Sequence, residues 1–92
     1  MVVIRGISWN NWSIEHISRH GVSPEEVEEV CFENEPYIRK GRDGTYYILG
    51  QTLAGRYLFI VAVRSGEGML RIITARDMDS KERRLYREQG GR

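Results

Sequence analysis

Arg56, Arg64 and Arg76 are the side chains of this 92-residue sequence best suited to chemistry on an anion. Each falls at the end of a predicted β-strand, where a sheet can hold it rigidly. A guanidinium stays charged, and its paired donors match the nonbridging oxygens of a phosphodiester. Lys81, Arg83 and Arg84, on the helix that follows, can hold flanking phosphates. Tyr47, Tyr57 and Tyr86 can stack on bases. His20 stands beside a chain turn and carries the side chain suited to proton transfer at neutral pH; His16, in mid-helix, is the weaker candidate. Such a set fits phosphodiester cleavage. It also has plainer uses: strand-end arginines solubilise, strand tyrosines pack on their neighbours, and a histidine at a helix end complements the dipole.

Other chemistries find little support. His16 and His20 are four apart but lack the intervening glutamate of a metalloprotease helix, and Cys31 is the one cysteine, so no metal site is expected. Gly66 and Gly68 read as turn glycines rather than a phosphate loop, and no cofactor is expected. Cys31 follows the apolar spacing of its helix and reads as a buried filler. A lone cysteine fits a reducing compartment. No run approaches the ~18 apolar residues of a membrane helix, and Met1–Gly6 lacks a signal peptide's apolar region. These features point to a cytoplasmic protein without membrane contact, folded as a single domain over residues 1–92.

The net charge of +1 conceals a polarity. Residues 1–35 hold two basic and seven acidic side chains, a net −5, whereas residues 36–70 and 71–92 each carry +3. An anion-binding face opposite an acidic helix face is permitted by this split.

The elements that must position these residues can be read in order. Val2–Ile4 is a short β-prone run, an edge strand or a lead-in that packs Ile7 and Trp9. Asn10 or Asn11 caps a helix over Trp12–Arg19, with Ile14, Ile17 and His20 on one face and Gly21 as its C-cap. Ser23, Pro24 and Glu26 form a capping box, and Val22 with Val27 a hydrophobic staple. The two helices make a hairpin over about residues 11–33. Its second helix is acidic outside, which argues against reading DNA with it. Pro36 ends the helical region. Strands follow at Tyr37–Lys40, Thr45–Gln51, Arg56–Arg64 and Met69–Ala75, joined by turns at Asp43-Gly44, Ala54-Gly55 and Ser65–Gly68. The near-continuous apolar run Tyr57–Val63 marks a central strand. Short loops predict an antiparallel sheet of about four strands. A last helix, capped by Asp79 with Glu82, runs to about Glu88, anchored by Leu85 and Tyr86. The expected class is α+β: two N-terminal helices, the sheet and a C-terminal helix.

Trp9-Asn10, Arg19-His20-Gly21-Val22-Ser23, Glu25-Glu26-Val27, Leu49-Gly50-Gln51-Thr52 with Gly55-Arg56, Ile72-Ile73-Thr74-Ala75-Arg76 and Glu82-Arg83-Arg84-Leu85-Tyr86 stand in an order and spacing that resembles the BrnT family of bacterial type II toxins. The resemblance spans nearly the whole chain and implies a RelE-like fold. It implies a compact ribonuclease that inhibits translation by cutting RNA without a metal. The implied partner is a small BrnA-like antitoxin, through which alone operator DNA is bound. The family's basic-His-Gly motif falls on Arg19, His20 and Gly21, its strand-end arginine on Arg76, and its terminal motif on Glu82, Arg83, Arg84 and Tyr86. Trp9-Asn10 replaces the usual Trp-Asp, the usual following lysine is absent around Trp12 and Ser13, and Arg19 replaces a lysine. The pattern is that of a divergent branch. The expected catalytic set is therefore His20, Arg64, Arg76 and Tyr86, with Arg19, Arg56, Lys81, Arg83 and Arg84 on the RNA. The alternatives are a non-catalytic RNA-binding or antitoxin-pairing module of the same fold and, less favoured, a DNA-binding protein.

Overall fold

A computed structural model describes residues 4–90 of the chain. Its elements are β1 (Gly6–Ser8), α1 (Asn11–Ser18), α2 (Pro24–Glu28) continued by a wide π-type turn (Glu29–Glu33), β2 (Tyr37–Lys40), β3 (Thr45–Gln51), β4 (Tyr57–Gly66), β5 (Met69–Asp77) and α3 (Ser80–Glu88). The strands form one sheet in the order β1-β5-β4-β3-β2. The class is α+β as expected, and β4 is central.

Two differences from the sequence expectation concern the first strand. Val2 and Val3 lie outside the described residues, and the first strand is Gly6–Ser8. It pairs parallel with β5, Ile7 standing opposite Leu70. The sheet therefore has five strands and is mixed rather than wholly antiparallel. Short loops dictate antiparallel neighbours only for consecutive strands. β1 and β5 are separated by most of the chain, so nothing restricts their direction.

Three capping boxes set the helix starts: Asn10 with Ser13, Ser23 with Glu26, and Asp79 with Glu82. Each satisfies backbone N–H groups that a helix leaves unpaired. In α1 the inward positions are Ser13 and Ile17, while Ile14 is 37% exposed. The expected Ile14–Ile17 stripe is thus rotated by about one position. Asp43 and Gly44 turn the chain between β2 and β3 with φ of 55° and 77°, conformations that glycine and aspartate tolerate best.

Side chains alternate across β4, so it is covered from both sides. Leu58, Ile60 and Ala62 join Ile17, Val22, Val27, Val30, Ile48 and Ile72 beneath α1 and α2. Tyr57 and Phe59 face the other way, toward Leu49, Met78, Leu85 and Tyr86. Each fully buried aliphatic contributes about 1.5–3 kcal/mol. Close packing reaches the backbone at Gly50, where an added Cβ would stand 2.8 Å from Val30 Cγ1 and 3.5 Å from Pro36 Cβ. Gly50→Ala is expected to lose about 1–3 kcal/mol by overpacking, and Ile60→Ala about 2–5 kcal/mol by leaving a cavity. Urea unfolding of the two variants against the parent chain measures both.

Candidate functional site

Arg76 lies one residue inside the end of β5, opposite Phe59 of β4. An irregularity in the β4–β5 pairing sets its direction: Val61 pairs with Thr74 but Ala62 with Ile72, so Ile73 is extra. The bulge lets Ile72 and Ala75 both enter the core under α1 and α2 and turns Arg76 to the opposite face. There its guanidinium carbon sits 4.5 Å from the centre of the Phe59 ring. Nη1 and Nη2 donate to the two oxygens of Glu82 at 2.9 Å each, and Nη1 also donates to the Asp77 carbonyl at 3.0 Å. Glu82 Oε1 in turn accepts the Asp79 N–H at 2.9 Å. The carboxylate that caps α3 therefore also clamps the arginine.

The Glu82 hydrogen bonds raise the Arg76 pKa above its ordinary value, against an opposing effect of burial. The Arg76 side chain is 39% exposed and Glu82 17%. Those bonds occupy three of the five guanidinium donors. Nε–H and the second Nη2–H have no partner among the described residues. They lie on one edge of the group and form a free fork of the kind that binds phosphate.

Beyond α3, no helix among the described residues covers the same sheet face. Cross-strand partners share a face, so the pairings define its rows. The first is Tyr37, Leu49, Phe59 and Arg76; the second is Arg39, Tyr47, Val61 and Thr74; the third is Thr45, Val63 and Arg71. α3 packs on the first row through Leu85 and Tyr86. Val61, Val63 and Thr74 are half-buried, and Arg39 and Arg71 are exposed. Tyr47 lies 5.4 Å from Phe59, ring centre to ring centre. The result is an aromatic and β-branched floor with arginines on three sides. β5 carries Arg71 about 15 Å along the strand from Arg76.

The remaining expected residues disperse. Arg83 and Arg87 stand over the Tyr57 ring at 5.1 and 5.8 Å, beside the open face. Lys81 and Arg84 are exposed on α3. Tyr86 is buried at 4% exposure and meets Tyr57 edge to face at 6.1 Å. Arg64 pairs with Leu70 at the far end of β4, about 17 Å along the strand from the residue facing Arg76. Arg19 and His20 are exposed at the end of α1, which covers the other side of the sheet from Arg76. Trp12, His16 and His20 form an outer ladder on that helix, with Trp12 stacked on His16 at 4.9 Å. Arg56 is committed to the scaffold. Its Nε donates to Asp77 at 2.7 Å, and its Nη1 to the Gly21 carbonyl at 2.8 Å and to Glu26 at 3.1 Å. Among the described residues no three of His, Cys, Asp and Glu gather into a metal-binding group. Burial, helped by Glu28, pushes the Cys31 thiol up to about 12, so it stays protonated and unreactive at neutral pH.

Residues 9–82 match the family described as the ribonuclease toxin BrnT of type II toxin–antitoxin systems. The chain belongs to the BrnT family. The fold agrees with the 1.1 Å crystal structure of the Brucella abortus ribonuclease toxin BrnT, with a TM-score of 0.65 at 14% identity, covering 82% of this chain and 97% of that one. No curated protein matches the sequence. No helix among the described residues is long and apolar enough to cross a membrane. Membership brings an antitoxin partner, as the family consists of toxins from type II toxin–antitoxin systems.

Within this BrnT-family frame, sequence reasoning passed over Arg39, Arg71 and Phe59. For Arg71 the signal was present: a charged residue set between apolar ones in a predicted strand, as in Met69-Leu70-Arg71-Ile72, marks the solvent side of a sheet. The bulge at Ile73, which decides where Arg76 points, had no such signal. The Arg56 anchor also gives a pH signature. Its hydrogen bond holds the Asp77 carboxyl below its ordinary value of 3.8. A depressed folded-state pKa adds stability above the unfolded value, and this is lost as pH falls through the folded value. Asp77→Asn is therefore expected to destabilise at neutral pH, with its difference from the parent chain shrinking as pH falls below 3.8 through the folded-state value, as read by thermal melting across that range.

Proposed function

We propose that this toxin cuts RNA without a metal ion and thereby inhibits translation, with the scissile phosphate seated at Arg76 on the open sheet face. The observation that carries this reading is the free Nε/Nη2 fork of Arg76, fixed from behind by Glu82 and from below by Phe59. In the reaction the ribose 2′-hydroxyl attacks the adjacent phosphorus and loses its proton. The bond to the 5′-oxygen breaks, that oxygen gains a proton, and a 2′,3′-cyclic phosphate forms. Negative charge grows on the nonbridging oxygens, where a preorganised fork stabilises it most. Arg39 and Arg71 hold neighbouring phosphates, Tyr47 stacks a base, and Lys81, Arg83 and Arg84 extend the cationic rim along α3. Arg56 is a positioning residue that ties β4 to the end of β5.

A non-catalytic RNA-binding reading keeps one specific support: both histidines lie on α1, away from the open face. Direct DNA reading by the α1–α2 hairpin has none, since Glu25 and Glu28 are exposed on α2 and repel phosphate.

The deciding measurement is cleavage of single-stranded and structured RNA by the purified chain in excess EDTA. Cleavage is expected to persist, with products ending in cyclic phosphate. Arg76→Ala is expected to lower the rate about 10²–10³-fold while melting like the parent chain. His20→Ala and Arg64→Ala are expected to stay within about threefold, as His20 follows the helix on the other sheet face from the fork and Arg64 stands about 17 Å along β4 from it. RNA bound in a salt-dependent manner but left uncut would establish the binding module instead.

A further inference from the structure

Phe32 and Leu53 are large apolar residues left in water, 44% and 64% exposed. Both are held there by structure. The π-type turn that continues α2 buries Val30 and Cys31 and leaves Phe32 outside. Leu53 sits at the tip of the β3–β4 turn, and its N–H is tied to Glu29 Oε1 at 3.0 Å. Thr52 braces that turn, its N–H meeting the Arg56 carbonyl at 2.9 Å and its hydroxyl accepting the Arg56 N–H at 3.0 Å. The two side chains line a groove of about 450 Å³ whose other walls are Glu25, Glu28, Glu29 and Glu33. A second groove of about 410 Å³ shares Leu53 and Glu33 and continues past Glu35 to Tyr86 and Gly90 at the end of α3. Among the described residues, no lysine or arginine lines either groove.

We propose that this double groove docks a segment of the antitoxin that carries apolar side chains flanked by lysine or arginine. Apolar groups on the occupant cover Phe32 and Leu53, and its cations answer the carboxylate rim. The inference rests on the antitoxin partnership that family membership brings, and not on RNA cleavage. The charge excludes nucleic acid, which the rim repels. Helix α3 of a second copy matches poorly. It is cationic, turns Leu85 and Tyr86 into its own core and has no apolar residue to offer the groove. The groove passes round the β3–β4 end of the sheet from α2 to α3, so an occupant touches elements on both sides of the sheet. This places the anchor of the partner away from the arginine face.

The test uses the full chain and the antitoxin encoded with it, with the dissociation constant measured over a range of salt. Phe32→Ser/Leu53→Ser is expected to weaken the complex at least about tenfold. Glu25→Lys/Glu33→Lys is expected to weaken it and flatten its salt dependence. Both variants are compared with the parent by thermal melting, and these four residues were chosen because none is fully buried. Arg39→Glu/Arg71→Glu on the open face is expected to leave the constant within about threefold. The proposal is overturned by unchanged affinity in the Phe32/Leu53 variant, by loss confined to the Arg39/Arg71 variant, or by failure of any complex to form. A chain that is dimeric alone and monomeric as the Phe32/Leu53 variant would assign the groove to a second copy, and RNA retention lost in that variant would assign it to nucleic acid; either overturns it too. RNA cutting is not read, so failure of the nuclease reading leaves these outcomes unaffected.

Discussion

Strand β4 is apolar on both faces and so demands cover on both, yet the described helices cover one face and part of the other. The α1–α2 hairpin takes the first face completely, with Leu58, Ile60 and Ala62 fully buried there. On the second, α3 is a single nine-residue helix that reaches only the rows of Tyr57 and Phe59. Val61 and Val63 are left half-covered. The open face is thus what the described helices leave uncovered. Its chemistry comes from what surrounds the shortfall: β-branched and aromatic side chains in the middle, and arginines at Arg39, Arg71 and Arg76.

Two arginines of similar strand-end position have taken opposite roles, and their partners decide the difference. Arg56 meets two carboxylates and the Gly21 carbonyl, spending its donors on the scaffold. It locks the α1–α2 turn to the beginning of β4 and the end of β5. Arg76 meets one carboxylate end-on and one carbonyl, which leaves an edge of its guanidinium unused. Both pairs are partly exposed, and exposed pairs contribute little to stability on their own. Their value here is geometric, since each fixes a planar group in one orientation.

What could be read from the sequence follows the range of the signals. Caps act over three residues, and the boxes at Ser23 and Asp79 were visible in the spelling of the chain. Alternation acts over two, and it separated Tyr46 and Ile48 from Tyr47 and Leu49 correctly. β1 was missed because a parallel pairing of three residues across the length of the chain leaves no local mark. The dispersal of the expected catalytic residues left no local mark for the same reason. Arg64 and Arg76 both stand toward strand ends, but antiparallel strands have opposite ends, so the two lie far apart. His20 and Arg76 share an end of the sheet and differ in face, which the bulge at Ile73 determines.

The motif around Glu82 and Tyr86 gains a physical reading from this geometry. Tyr86 is buried against Tyr57, and with Leu85 it seats α3 on the sheet. Glu82 occupies the first turn of that helix, where its carboxylate serves both the cap and Arg76. Any shift of α3 moves Glu82, and with it the orientation of the Arg76 fork. A buried tyrosine thus bears on Arg76 without touching it, by holding the helix that holds the carboxylate that holds the arginine. The same helix ends at the acidic groove, where Tyr86 and Gly90 form part of the wall. One short helix therefore borders both surfaces, its first turn at Arg76 and its last at the carboxylates.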